Sequence, residues 1–282
     1  MRNRPPIPYE MKRAVRQRCG FGCVICGFPL YEYEHMEEWA IVKRHHEDEI
    51  TLLCKMHHGM KTDGLLPTED VKSANTNPYN KQAGVSKNVL MSYSGHDVSF
   101  YLGTSQFKFH GLQDGYFFAP LVIDGLSIVG FRIEQDKLLL NFVAFDESNK
   151  LILQIADNEL QYDTTQWDIE WIAQSLTIRE KKGKILLQLK FEPPGVIRFV
   201  KGRVLRNGIE LLVGKDYLFN TNNRIFLSIQ TVNCAVGCAI GYPIPEQDVG
   251  LALSEINRYL FDRREARSFL RKTQNERRLR KD

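Results

Sequence analysis

Cys23-Val-Ile-Cys26-Gly27 and, further along, Thr51-Leu-Leu-Cys54-Lys-Met-His57-His58 are the stretches whose spacing decides how the first part of this chain folds. Cys23 and Cys26 form a CxxC turn, and the glycine that follows lets the backbone curl until both sulfurs face one ion. A CxxC alone also serves redox chemistry. Here Cys54 and His57 follow at i, i+3, which puts both side chains on one helical face. Three thiolates and one imidazole in two short pairs make the ligand set of a closed structural zinc site. The residues around them carry little apolar surface, so a metal staple is what such a unit needs. Cys19 stands outside both pairs and reads as a buried or partly exposed thiol.

More histidines remain than zinc needs. His35 ends an aromatic, strand-like run, Leu30-Tyr-Glu-Tyr-Glu-His35, and Thr51–Cys54 reads as a second strand leading into a helix. Neighbours on a helix point about 100° apart. If His57 faces the zinc, His58 therefore faces another side. Two strands and a helix held at the base by zinc would bring Glu34, His35 and His58 together. A carboxylate with imidazoles suits a divalent ion with open positions, with one imidazole left as a general base.

The matched text Arg18-Cys-Gly-Phe-Gly-Cys-Val-Ile-Cys-Gly27, Tyr33-Glu-His35 and Thr51-Leu-Leu-Cys-Lys-Met-His-His-Gly-Met-Lys-Thr62 resembles the HNH endonucleases of the ββα-metal class. The resemblance is confined to about residues 15–65. It implies that Glu34 and His58 hold a catalytic divalent ion, magnesium or another, and that His35 activates the attacking water. It also implies that Cys23, Cys26, Cys54 and His57 are the structural zinc set, with His57 where many relatives have cysteine. Where that family usually has an asparagine bracing the first histidine's loop, this chain has Glu49, which accepts but cannot donate when ionised. Glu49 is therefore both a candidate catalytic-site residue and the departure from the pattern. His45 and His46 lie in the intervening loop, where one braces the site or both stand in solvent.

Outward from this segment the chain is ordinary. It has 282 residues, 43% hydrophobic and 26% charged, the make-up of a globular protein with a sizeable core. Its longest apolar stretch, Lys137–Phe145, falls short of the roughly 20 residues that span a bilayer. The start, Met1-Arg-Asn-Arg-Pro-Pro, has no apolar leader region, so the expectation is a cytoplasmic protein without a membrane partner. Residues 1–20 carry six basic side chains against one acidic, and residues 251–282 carry ten against five. Basic ends suggest a polyanion, here DNA, and Lys61, Arg271, Lys272, Arg277 and Arg278 are the candidate phosphate contacts.

The expected fold class is α+β: a zinc-stapled ββα-metal module, an all-β sandwich or solenoid, and a C-terminal helix. The expected domains are 1–80, 81–245 and a basic 246–282, with the break in the polar stretch Ser73–Asn80. Strands are expected at 97–102, 121–133, 138–145, 151–155, 184–191, 208–213 and 224–229. Leu251, Leu253, Ile256, Leu260, Phe261 and Phe269 lie at roughly helical spacing, and the tail beyond Leu270 is expected to fray. Trp39, Trp167 and Trp171 read as packing residues, and Cys234 and Cys238 as core. The functional expectation is a DNA endonuclease, an effector against foreign DNA, its β-rich domain serving as a regulator or an oligomer contact. The rival expectation is a zinc-dependent nucleic-acid-binding module that does not cut.

Overall fold

A computed structural model describes residues 5–258 and 263–279. It is mixed α and β and mostly β, with 44% strand and 19% helix. The chain divides into two compact units, Met1–Val89 with Gln161–Lys184, and Leu90–Leu160 with Ile185–Asp282.

The first unit is built around a short antiparallel hairpin. Helix α1 (Tyr9–Arg18) precedes strand β1 (Glu32–His35), helix α2 (Trp39–Val42), strand β2 (Ile50–Leu53) and helix α3 (Lys55–Thr62). Strand β1 pairs with β2 so that Glu34 faces Thr51 and His35 faces Ile50. All four residues of β2 are buried, so it carries the unit's core rather than an alternating face. Val15, Val24, Met36, Ile50, Leu52, Leu53 and Val71 pack with Cys19, Cys23 and Cys54 into one cluster. This cluster is more apolar than the sequence suggests, because its members come from elements scattered between residues 15 and 71.

Helices α4 (Thr68–Thr76) and α5 (Tyr79–Ala83) complete the N-terminal part. They overturn the expectation of a linker at Ser73–Asn80. Asn80 is fully buried, and its Nδ2 donates to the Gly20 and Gly27 carbonyls at 3.0 Å each. Polar composition alone points to solvent, whereas this side chain satisfies two carbonyls that flank Cys23 and Cys26. The hairpin of Asp168–Ile172 with Ser175–Lys181 also belongs to this unit. Buried Arg16 reaches it with a bidentate ion pair to Asp168, Nε–Oδ1 and Nη2–Oδ2 both 2.9 Å. Burial opposes the Arg16 charge, but the bonds to Asp168 outweigh it and raise its pKa.

The second unit holds two groups of strands. In one, the order is Val249–Leu253, Val236–Ile240, Phe117–Ile123, Leu126–Glu134, Lys137–Phe145 and Leu151–Ala156. The last four form an antiparallel meander, while Val236–Ile240 lies parallel to both neighbours. In the other, Val196–Arg206, Ile209–Gly214, Tyr217–Asn220 and Ile225–Leu227 run antiparallel in sequence order. Phe142 and Phe199 bring the two groups together at 6.5 Å between ring centroids.

The C-terminal reading needs two corrections. Val249–Leu253 is a strand, because its branched residues repeat at i, i+2 and find an open edge at Val236–Ile240. The helix is Arg263–Leu279 and continues beyond Leu270, where its apolar stripe fades. Ala266 and Leu270 bury against Phe219, and Arg267 donates to buried Glu210 at 3.1 Å. Leu260 and Phe261 lie outside the described residues. No helix among the described residues is long and apolar enough to cross a membrane.

Candidate metal centre and the adjoining histidine site

The cysteine turn forms as its residues dictate. The Gly27 N–H donates to the Cys23 carbonyl at 2.8 Å, and the Cys23 N–H donates to the Phe28 carbonyl at 2.9 Å. Gly27 sits at φ 74°, where only glycine is unstrained, and an added Cβ would lie 2.2 Å from Asn80 Oδ1. Cys54 caps α3 and His57 follows in the first turn. The donor atoms of Cys23, Cys26, Cys54 and His57 all lie within 4.8 Å of one another. Cys26 Sγ and Cys54 Sγ are 3.8 Å apart, and His57 Nδ1 is 3.4 Å from Cys23 Sγ and 3.3 Å from Cys54 Sγ. A tetrahedral zinc with bonds of about 2.3 Å to sulfur sets its sulfurs about 3.8 Å apart, so the set fits. This cluster could hold a metal such as zinc. The hydrogen bond between the Cys26 thiol and Cys23 lowers the pKa of Cys23 and raises that of Cys26. Cys19 is a different case, buried against Thr51 Oγ1 at 3.8 Å, with burial pushing its thiol up.

One residue further along α3, His58 turns to the hairpin instead. Its Nε2 lies 3.0 Å from Glu34 Oε2, and its Nδ1 lies 3.8 Å from Glu32 Oε2. Lys61, one turn later, puts Nζ 2.8 Å from Glu34 Oε1 and 3.2 Å from the His35 carbonyl. A depression of about 320 Å³ is lined by Glu34, His35, Glu38, Trp39, Lys61 and Thr62. His35 is 3% exposed and meets the Trp39 ring edge-on at 5.1 Å. Glu34 and His58 thus meet directly, His35 follows Glu34 on the strand and lines the adjoining depression with it, and His57 turns to the cysteines.

Glu49 does not join them through its side chain. It ends a short 3-10 helix, Glu47–Glu49, and its carboxylate takes two bonds from Arg44, at 2.5 and 3.3 Å. Those bonds hold Glu49 below the usual carboxylate range. Its carbonyl accepts from the Met36 N–H at 2.9 Å, just past His35. Lys61 is engaged by Glu34 rather than standing free on the surface. Arg271 and Lys272 are exposed on the C-terminal helix, and the side chains of Arg277 and Arg278 lie outside the described residues.

Three residues carry more than the sequence assigned them. His45 Nδ1 lies 3.2 Å from His35 Nε2, so of the two loop histidines this one reaches the site, while His46 stays exposed. Trp39 packs over both His35 and His45. Trp171 is half-buried and lines a depression of about 600 Å³ with Cys26, Phe28, Tyr31, Cys54 and Lys55. The available signal is the aromatic and imidazole density of residues 31–46, which only spatial proximity turns into a site. No protein-family profile, curated protein or solved structure compared with the chain matches it.

Proposed function

We propose that the segment from Cys23 to Thr62 is the catalytic module of an HNH-type, ββα-metal endonuclease that hydrolyses phosphodiester bonds in DNA. The observation that carries this reading is the Glu34–His58 pair beside buried His35, on one hairpin and one helix. Two ligands about 2.1 Å from an octahedral ion and at right angles stand about 3.0 Å apart, which is the separation of Glu34 Oε2 and His58 Nε2. Glu34 and His58 would hold that ion, magnesium or a related metal, which when bound supplies Lewis-acid polarisation of the phosphate and charge stabilisation on the leaving oxygen.

His35 takes a proton from the attacking water as the new bond forms at phosphorus, and the bond to one ester oxygen breaks. Before an ion binds, Glu34 orients His58 through their direct contact. Lys61 is a cation beside this pair that can meet a backbone phosphate, at the cost of releasing Glu34. The zinc set fixes the start of α3, and with it the directions of His58 and Lys61. A sensing role for the second unit, and action against foreign DNA, rest on analogy with this enzyme class.

Lys61 also favours the rival reading. An ammonium 2.8 Å from Glu34 competes with a divalent ion, as a binding module that does not cut would tolerate. Supercoiled plasmid incubated with the zinc-loaded protein separates the two. Nicking that appears with magnesium, manganese or nickel and disappears with chelator is expected; binding without nicking under every metal overturns the enzyme.

A further inference from the structure

We propose that His45 is a positioning residue that holds His35 in one tautomer, with hydrogen on Nε2 and the proton-accepting lone pair on Nδ1. The carbonyl oxygen of Pro5 can only accept a hydrogen bond. His45 Nε2 lies 2.7 Å from the Pro5 carbonyl oxygen, so this nitrogen carries a hydrogen. A neutral imidazole has one N–H, which leaves His45 Nδ1 as an acceptor. His45 Nδ1 is 3.2 Å from His35 Nε2, so His35 must donate from Nε2. One tautomer of neutral His35 remains, and its basic nitrogen is Nδ1.

The surroundings keep this relay in place. Trp39 lies 5.1 Å from the His35 ring and 4.8 Å from the His45 ring, so neither imidazole turns without giving up its packing on the indole. The loop that presents His45 is closed by the Arg44–Glu49 ion pair across it and by the Met36–Glu49 backbone bond. Lys43 enters that loop with φ 47°, a left-handed turn that reverses the chain after α2. His35 is buried apart from the depression it lines, so solvent does not readily replace His45 as its partner. The bracing that the resemblance assigns to an asparagine is divided here. Arg44 and Glu49 close the loop, and His45 supplies the hydrogen bond.

The catalytic consequence rests on His35 acting as the base of the proposed nuclease, but the tautomer can be read without any cleavage. Full-length, zinc-loaded, nitrogen-15-labelled protein is examined by long-range proton–nitrogen spectra of the imidazoles, at a pH where both histidines are neutral. The expected pattern is a protonated Nε2 and an unprotonated Nδ1 on both His35 and His45. His45→Phe keeps a ring against Trp39 but has no nitrogen, so His35 should then populate both tautomers. Metal-dependent nicking should fall by about 10–100-fold, the usual effect of an outer partner of a functional histidine. His45→Gln, whose amide both accepts and donates, should recover most of that activity. A wild-type His35 protonated at Nδ1, or an unchanged His35 tautomer in His45→Phe, overturns the proposal. If His45→Phe loses zinc or its fold, the wild-type spectrum decides alone. The expected tautomers in a protein that nicks no plasmid would uphold the relay and sink the nuclease reading.

Discussion

His57 and His58 are consecutive residues of α3, yet they serve opposite kinds of site. His57 is buried and turns Nδ1 to the sulfurs of Cys23 and Cys54. The His58 side chain is 35% exposed and turns Nε2 to a carboxylate. The first site offers three thiolates and an imidazole, the four donors that complete a tetrahedral ion, which suits a structural ion. The second has a carboxylate beside its imidazole and an adjoining depression. A rotation of about 100° per residue is enough to separate a fold-making site from one able to do chemistry.

The largest expected break in this comparison is Cys26→Ser. Metal binding to a closed site of this kind is coupled to folding, and structural zinc supplies about 10–16 kcal/mol in small zinc peptides. The variant should lose bound zinc and the thermal transition of the first unit. Zinc retained at one per chain with an unchanged melt would remove the structural assignment.

Next comes the open side. His35→Gln should retain zinc and DNA binding while nicking falls by about 10²–10⁴, the contribution of a general base. His35 is more buried than a base expected to leave the fold untouched, so glutamine is preferred to alanine and a melt accompanies the assay. His58→Ala should keep the zinc and lose its response to added divalent ion. Should His58→Ala lose the zinc instead, the division between neighbouring histidines is void.

A smaller effect is expected from the C-terminal helix. Deleting residues 271–282 leaves Ala266, Arg267 and Leu270 against Phe219 and Glu210, so the second unit should still fold. For every phosphate that the tail neutralises, its deletion should flatten the slope of log affinity against log salt by about 0.9. An unchanged slope would rule out the tail as a DNA-binding element and leave charge recognition elsewhere.

The smallest change is expected at Glu49→Asn. The exposed Arg44–Glu49 pair disappears, while the Met36–Glu49 backbone bond stays. Because Arg44 lowers the folded carboxylate's pKa, the pair stabilises at neutral pH, and this is lost as pH falls through the lowered value. Wild-type and variant melts should therefore differ slightly at neutral pH and converge in acid. Activity should be equal or higher. A clear loss of divalent-ion affinity by calorimetry would place Glu49 in the metal site rather than in the loop closure.

Much of the candidate site was legible because its chemistry depends on local spacing. Cys54 and His57 at i, i+3, and the glycine after Cys26, carry their geometry with them. Several strands of the second unit were legible from their apolar runs, Lys137–Phe145 among them, but the run expected at 121–133 is two strands, Phe117–Ile123 and Leu126–Glu134, parted by the turn at Asp124-Gly125. The misreadings arose where a long-range partner overrode local pattern. Val249–Leu253 became a strand because a parallel edge awaited it, and Asn80 became a buried brace because two carbonyls needed a donor.

By itself, then, the sequence determined the four-donor cluster, the opposed directions of His57 and His58, and the β-rich character of the chain. Periodicity and covalent spacing act over one or two turns, and those features need no more. The tertiary structure alone decided that Trp39 and His45 converge on His35, with the Pro5 carbonyl behind His45, and that Arg16 reaches Asp168 across 152 positions. Such meetings depend on the loop closures that the hydrophobic cluster of the first unit enforces, and no local propensity encodes which distant side chains a buried histidine or arginine will meet.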